Sequence, residues 1–289
     1  MEQGTVRANG VDFAFLADGP PGGPLALCLH GFPDTAHTWR HLLPRLAGAG
    51  YRAVAPFLRG YAPSSVPADG AYDTGTLAVD ACELHAALGG DGRAVLVGHD
   101  WGAFAAYGAS AAEPERWHRV VTMAVPPLGA MGDAFFRYDQ LRRSWYIFLF
   151  QTPLAEQAVA AGDLAFIDRL WADWSPGYDG KEDAAWVKES LREPANLAAA
   201  IGYYRTMFAG PSPDPRAAAA QAASASPAPQ PTLYLHGRDD GCLGLEVVGP
   251  VTEHLAPGSD MAVVDRAGHF LQVERPDEVG DRVLSFLSV

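Results

Sequence analysis

The chain has 289 residues, of which 48 % are hydrophobic and 19 % charged, a balance typical of globular proteins and not of disordered or fibrous ones. This length suits one large α/β domain or a domain that carries an inserted segment. The formal net charge of −13 disfavours nucleic acids and anionic membranes as main partners, because binding phosphate groups requires an excess of lysine and arginine.

The three cysteines, Cys28, Cys82 and Cys242, are far apart and form no Cys-x-x-Cys pair. We therefore predict neither a structural zinc site nor a disulfide framework. We also expect no metal or organic cofactor, because the reaction considered below needs none. The N-terminal residues do not resemble a signal peptide, and no apolar run approaches the roughly 18 residues of a membrane span. We expect a cytoplasmic protein that binds a small neutral organic molecule, and we leave a homodimer open.

The first part of the chain alternates between strand and helix patterns. Short apolar runs predict strands, and apolar residues at helical spacing predict helices. The predicted strands are 11–16, 25–29, 51–55, 94–97 and 120–123, and the predicted helices centre on 39–46, 77–88 and 101–112. This alternation predicts an α/β fold with a parallel sheet and helices on both faces.

The pattern changes at Pro126. From there to about residue 230 the sequence carries helix signals and many aromatic residues but no convincing strand, and it ends in a Pro- and Ala-rich linker with room for one short helix. Strand patterns resume at 232–235 and 261–264, before a final helix that opens at Pro276. We therefore predict an α/β core in two parts, 1–125 and 231–289, interrupted by a helical insert at 126–230.

The strongest local signal is the segment Gly98-His-Asp-Trp-Gly-Ala103, which follows a buried strand. Glycines on both sides of Asp100 allow a sharp strand-to-helix turn, which would present the aspartate above the sheet as a nucleophile. The simpler alternative is that Asp100 only caps the following helix.

Three weaker signals follow other predicted strands. His30-Gly-Phe-Pro33 can direct the backbone N–H of Phe32 at a developing oxyanion, although it can also be an ordinary turn. His269 lies in a loop, where most histidines are merely solvated. Asp239 and Asp240 lie just past the strand 232–235, at the sheet edge where open α/β folds build their sites.

The order of these residues along the chain favours a common site. A nucleophile at Asp100, then an acid, then His269 is the order found in the α/β-hydrolase fold. The remaining choice between Asp239 and Asp240 is left open by spacing alone.

The sequence resembles the epoxide hydrolase branch of the α/β-hydrolase superfamily, whose aspartate nucleophile is shared with haloalkane dehalogenases. The resemblance spans nearly the whole chain and is carried by these motifs: HGFPDTAHTWR (30–40), LRGYAPS (58–64), GHDWGA (98–103), EPERW (113–117), HGRDDGC (236–242) and AGHF (267–270). GHDWG together with HGFP is the most specific of them. One departure is Phe57, where relatives often carry aspartate.

This resemblance implies that the insert is a helical lid and that Asp240 is the acid of the triad. It also implies that two lid tyrosines donate hydrogen bonds to an epoxide oxygen, and these correspond to Tyr146 of a Tyr-x-x-x-Phe-Gln pattern and Tyr204 before Arg205. Helical spacing from Pro194 independently directs Tyr204 inward, with Leu197, Ile201 and Phe208, and turns Tyr203 toward Asn196. Without the resemblance, both tyrosines could simply pack the insert.

The implied reaction converts an epoxide to a vicinal diol through an ester on Asp100, which water activated by His269 then hydrolyses. Backbone N–H groups of Phe32 and Trp101 would form the oxyanion hole. We expect the substrate pocket to include four side chains: His30, Phe32, Trp101 and Phe270.

Three alternatives remain beside this interpretation. A haloalkane or haloacid dehalogenase would use the same Asp–His–Asp triad and needs N–H donors for the halide, of which Trp101 is one. Haloalkane dehalogenases usually carry Asn, Gln or Glu after His-Gly, where this sequence has Phe32, and haloacid relatives carry Arg after the nucleophile, where it has Trp101. A non-catalytic ligand-binding protein would be expected to lack one of the catalytic groups. A serine esterase is disfavoured because the turn carries aspartate.

Overall fold

The sheet has eight strands in the order β1-β2-β4-β3-β5-β6-β7-β8. A computed structural model describes the backbone of residues 1–288 and their side chains apart from position 133. β2 runs antiparallel to β1 and β4, and the other neighbours are parallel. The strands are β1 Glu2–Ala8, β2 Val11–Asp18, β3 Leu25–Leu29, β4 Arg52–Pro56, β5 Ala94–His99, β6 Trp117–Met123, β7 Thr232–Gly237 and β8 Asp260–Val264.

The seven predicted strands are all present, and β1 is the one that the sequence pattern does not indicate. It is an edge strand whose side chains are mostly exposed or half-buried, so it has no apolar face to reveal it. Asn9 and Gly10, both with positive φ, turn the chain from β1 into β2.

Twelve α-helices connect and cover the sheet within the described part of the chain. α3 packs on β3 and β5 and also on α2 and α10. α1 and α12 pack on each other. The α-helices are α1 Leu42–Gly48, α2 Thr74–Ala87, α3 Trp101–Ala112, α4 Leu128–Met131, α5 Tyr138–Arg143, α6 Trp145–Phe150, α7 Ala155–Trp174, α8 Lys181–Ser190, α9 Pro194–Thr206, α10 Pro215–Ala223, α11 Leu271–Glu274 and α12 Pro276–Leu287. Within residues 1–288 every helix is too short or too polar to cross a bilayer.

The insert lies between β6 and β7 and contributes α4 to α10. α7 is interrupted at residues 161–164, where the backbone leaves helical geometry. α10 packs on α2 and α3 and thus extends the helical layer of the core. The insert boundaries at 126 and 230 remain predictions, and within them α10 lies with the core helices.

The turn from β5 into α3 depends on two close backbone approaches. A Cβ atom at Gly98 would overlap the backbone of Gly102, and one at Gly102 would overlap the carbonyl of Leu29. α3 can therefore begin directly above β3 and β5 only because both positions lack a side chain. This packing brings Asp100 beside the loop that follows β3.

A buried ion pair anchors the segment after β4. The guanidinium of Arg59 donates to both carboxylate oxygens of Asp80 on α2, at 2.5 and 2.6 Å, and also to the carbonyl of Ala71 at 2.7 Å. Neither side chain of the pair is appreciably exposed. The Leu-Arg-Gly-Tyr motif thus has a structural role, since Arg59 holds this segment against the core.

Replacing Asp80 by asparagine should lower the free energy of unfolding by about 3 kcal/mol, because it removes the buried carboxylate that pairs with Arg59 and leaves the more distant, exposed Asp69. Urea denaturation measures this change. Asp12→Asn is the control, since its ion pair with Arg7 is exposed and should contribute little. Equal losses in the two variants would contradict the proposed anchoring role.

Candidate active site

Asp100 lies at the sharp turn between β5 and α3. Its backbone has φ 53° and ψ −118°, a conformation that is unfavourable for a residue with a side chain. Its carboxylate makes no hydrogen bond that caps α3, so the helix-capping alternative does not describe its role. The strained turn instead directs the carboxylate toward the loop after β3.

The carboxylate of Asp100 is held by that loop. The backbone N–H of Phe32 donates to Oδ1 at 2.7 Å, and a Cβ atom at Gly31 would overlap the same carboxylate. Trp101 follows Asp100 as the first residue of α3, and its contribution to the oxyanion hole remains a prediction. Phe32 already provides the donor where an oxyanion on the Asp100 carboxyl would develop.

His30 supports this loop through the backbone. Its Nδ1 lies 2.9 Å from the carbonyl of Gly31, and its Nε2 accepts from the N–H of Leu58 at 3.0 Å. These partners require the neutral tautomer with the proton on Nδ1. Burial lowers the pKa of His30 to about 4, so this tautomer persists at neutral pH. Both ring nitrogens are thus engaged, and His30 shapes the turn that presents Phe32.

His269 lies between two carboxylates. Its Nδ1 donates to Oδ2 of Asp240 at 3.0 Å, and its Nε2 is 3.7 Å from Oδ2 of Asp100. Oδ1 of Asp240 accepts from the backbone N–H groups of Cys242 and Leu243 at 2.7 and 2.9 Å. Asp239 is exposed, whereas Asp240 is buried. The structure thus brings Asp100, His269 and Asp240 into one line, with Asp240 as the acid that orients the histidine.

The charges of Asp100, His269 and Asp240 shift one another's protonation. Burial disfavours a charged imidazole, but the negative charges of Asp240 and Asp100 outweigh it and raise the pKa of His269 to about 10. Burial likewise opposes ionisation of Asp100, but His269 and the Phe32 N–H together hold its pKa below the ordinary value. The resting pair is therefore a carboxylate that faces an imidazolium.

The two predicted tyrosines pack against each other and against the residues that flank the Asp100 carboxylate. The ring of Tyr204 lies 5.4 Å from that of Tyr146, 5.2 Å from Phe32 and 5.1 Å from Trp101. The Tyr204 hydroxyl is buried beside the indole of Trp101, a group that can only donate, so the phenol proton engages no acceptor within the described residues. Burial, followed by the charge of Asp100, raises its pKa well above the ordinary value, so it remains a proton donor.

Tyr203 has a different role from its neighbour. Its hydroxyl donates to the carbonyl of Arg59 at 2.9 Å, and Asn196 of the same helix donates to the carbonyl of Gly60 at 2.7 Å. The predicted common direction of Tyr203 and Asn196 therefore agrees with their contacts. Phe208, which spacing placed with Tyr204, is exposed because α9 ends at Thr206.

The helices that carry the tyrosines are joined by polar side chains. Gln151 donates to the carbonyl of Tyr204 at 2.9 Å, and Arg205 donates to the carbonyl of Phe150 at 3.0 Å. The segment of Tyr146 thus donates to the helix of Tyr204, and the helix of Tyr204 donates back to the segment of Tyr146. These bonds explain why a glutamine follows the Tyr146 segment and an arginine follows Tyr204.

Phe270 lies beside His269. Its ring is stacked on Trp171 at 3.5 Å between centroids and lies 5.1 Å from the ring of His269. These contacts give it a supporting place beside the imidazole. Its role as a pocket residue remains a prediction, and its stacking on Trp171 joins the histidine loop to α7.

The end of α7 supplies contacts that the sequence did not indicate. The carbonyl of Trp174 accepts from the N–H of Gly241 at 3.0 Å and from the N–H of His269 at 2.9 Å. Ser175 donates to Glu274, which also accepts from the N–H of Gly268. The insert therefore holds both the acid loop and the histidine loop. A backbone carbonyl leaves no residue-type signal, so only the fold reveals this link.

Asp240, Cys242 and His269 are the described residues whose potential metal ligands come closest together, within 4.8 Å. Asp240 and His269 already bond to each other, and Asp240 also accepts two backbone N–H groups. A metal ion would have to break this arrangement. We therefore assign Asp240 and His269 to the triad and not to a metal site.

A fold with this strand order and an Asp–His–Asp line at the strand ends defines a hydrolase. A family model described as "alpha/beta hydrolase fold" matches residues 24–276, and the chain belongs to this family. Among curated proteins, it is similar to "Epoxide hydrolase A" of Mycobacterium tuberculosis, with 33 % identity over 98 % of this chain and 96 % of the relative. It is also 28 % identical to mouse "Epoxide hydrolase 4", over 98 % of this chain and 78 % of the relative.

Solved structures give the same result. The crystal structure of "Epoxide Hydrolase A" from Mycobacterium thermoresistibile is 28 % identical and superposes with a TM-score of 0.81, covering 99 % of this chain and 98 % of that one. The similarity extends over the insert as well as the core. It places the chain among the epoxide hydrolases of the α/β-hydrolase superfamily.

Gly31→Ala should lower kcat/KM for epoxide hydrolysis by about 100-fold or more, because the added methyl group displaces the Asp100 carboxylate from the Phe32 N–H. Steady-state kinetics measure the effect. The control is Gly22→Ala, where a Cβ atom meets nothing within 4 Å. A Gly31 variant as active as the Gly22 variant would show that this close approach is unimportant.

Asp100→Asn should lower the pKa of His269 from about 10, because it removes one of the two negative charges that stabilise the imidazolium. An NMR titration of the imidazole nitrogens measures this shift. Asp239→Asn is the matched control and should leave the titration unchanged, since Asp239 is exposed and does not contact the ring. An unchanged pKa in Asp100→Asn would contradict the coupling.

Proposed function

We propose that this protein hydrolyses epoxides to vicinal diols through a covalent ester on Asp100. The observation that carries the proposal is the carboxylate of Asp100, which lies between the Phe32 N–H and His269, and whose charge acts on the buried phenols of Tyr146 and Tyr204. Relatives that match nearly the full chain are named epoxide hydrolases, which supports the same reaction.

In the first step, Oδ2 of Asp100 attacks an epoxide carbon and the C–O bond of the ring breaks. The negative charge that develops on the ring oxygen accepts hydrogen bonds from Tyr146 and Tyr204, and one of them transfers its proton. The products of this step are an ester on Asp100 and a phenolate. Aromatic neighbours surround the site, which favours a neutral, largely apolar epoxide over an anionic substrate.

Ester formation changes the basicity of His269. The ester carries no charge, so the imidazolium loses one of the two carboxylates that stabilise it, and its pKa falls. Its proton can then return to the tyrosine phenolate. His269 becomes a neutral base that remains oriented by Asp240. Formation of the ester thus prepares the base that the second step requires.

In the second step, His269 takes a proton from water, and the hydroxide adds to the ester carbonyl of Asp100. The Phe32 N–H stabilises the oxyanion of this tetrahedral intermediate, with Trp101 as the second proposed donor. Collapse of the intermediate releases the diol, which takes the proton from His269. The carboxylic acid left on Asp100 then protonates His269, so the resting ion pair returns.

Two buried phenols distinguish this proposal from the dehalogenase alternative. A leaving halide accepts N–H hydrogen bonds and needs no proton, whereas a ring oxygen needs one. The hydroxyl of Tyr204, whose proton engages no acceptor within the described residues, is suited to donating that proton. A non-catalytic binding protein would also have no need for Asp240 to orient His269.

The partner that we propose is a small neutral organic epoxide, and the compartment is the cytoplasm. The three cysteines are buried and unpaired, which suits a reducing environment.

A single turnover of styrene oxide in heavy-oxygen water should place the label in Asp100, because hydrolysis occurs at its own carboxyl carbon. Mass spectrometry of the peptide that contains Asp100 measures the label. A label found only in the diol would overturn the ester mechanism. Release of halide from haloalkanes or fluoroacetate, without diol formation from epoxides, would favour the dehalogenase alternative.

A further inference from the structure

Cys242 provides the hydrogen-bond partner of one tyrosine hydroxyl. Its Sγ lies 3.4 Å from the hydroxyl oxygen of Tyr146, and both side chains are buried. The hydroxyl of Tyr204, by contrast, has the indole of Trp101 as its neighbour, and its proton engages no acceptor within the described residues. The two tyrosines are therefore not equivalent before substrate binds.

The backbone of Cys242 is bonded on both sides. Its N–H donates to Oδ1 of Asp240 at 2.7 Å, and its carbonyl accepts from the side chain of Gln140 at 2.9 Å. Gln140 lies fully buried on α5, where it also donates to Ser144 at 2.8 Å and accepts from the N–H of Gly244 at 3.1 Å. Ser144 directly precedes α6, so the acid loop is joined to the helix that carries Tyr146.

We infer that Cys242 is a positioning residue for Tyr146: its Sγ holds the phenol oxygen in place, and its S–H donates to that oxygen as the phenol proton passes to the epoxide. The inference rests on the proposed function. Burial raises the pKa of the Cys242 thiol well above its usual range, so the sulfur keeps its hydrogen. After Tyr146 gives up its proton, the same S–H stabilises the phenolate oxygen.

The side chain and the backbone of Cys242 contact groups that act in different steps of the proposed reaction. The thiol contacts Tyr146, which acts when the epoxide ring opens and the ester forms. The backbone N–H contacts Asp240, which orients His269 for hydrolysis of the ester. Removing only the thiol should therefore slow ester formation and leave ester hydrolysis unchanged. A general loosening of the loop would slow hydrolysis as well.

The test measures both steps of styrene oxide turnover in the full-length protein by rapid-quench mass spectrometry of the ester. Cys242→Ala should slow ester formation by about threefold to tenfold, the range expected for one lost hydrogen bond. Ester hydrolysis should remain near the wild-type rate. Cys242→Ser should restore most of the loss, because its hydroxyl can also donate to Tyr146.

Two controls separate positioning from general damage. Cys82→Ala removes another buried thiol, which lies on α2 away from Tyr146, and should leave both rates unchanged. In the Tyr146→Phe background, Cys242→Ala should cause no further slowing, because the oxygen that it positions is absent. The urea midpoint of each variant reports whether it is folded.

The inference is overturned if Cys242→Ala leaves ester formation unchanged, slows both steps equally or slows only hydrolysis. It is also overturned if Cys242→Ser is as slow as Cys242→Ala, or if the losses in Cys242→Ala and Tyr146→Phe are additive. Failure of the proposed function is a separate result, since wild-type protein would then form no ester with the epoxide.

Discussion

A buried charge organises this structure. Asp100 must remain ionised to attack a substrate, yet its side chain is almost fully removed from water, where an isolated carboxylate is costly. Phe32 offsets this cost with a backbone N–H, and His269 does so with a positive charge. Gly31 allows the approach, and the glycines at 98 and 102 allow the turn.

The same charge links the two chemical steps. While Asp100 is ionised, His269 is held as an imidazolium and cannot serve as a base. The histidine becomes a base when the ester neutralises Asp100, which is also when a base is required. Asp240 keeps the imidazole oriented throughout this proposed cycle, because two backbone N–H groups hold its carboxylate in place beside the ring.

The insert does more than cover the site. It carries Tyr146 and Tyr204, and through the carbonyl of Trp174 it also holds the loops of Asp240 and His269. Gln140 makes a further bond from the insert to the acid loop. The tyrosines and the triad are therefore set by one hydrogen-bonded framework, and a displacement of α7 would break bonds to both loops.

The sequence by itself determined the seven strands with buried apolar runs and the position of Asp100, since periodicity and the glycines of the turn are local properties. It did not indicate β1, whose polar pattern hides an edge strand. The choice of Asp240 over Asp239 needed a family resemblance, and burial then distinguished the two. Only the tertiary structure decided the partners of Tyr146, Tyr203 and the Trp174 carbonyl, because such contacts join residues far apart in the chain, and their geometry depends on how whole helices pack.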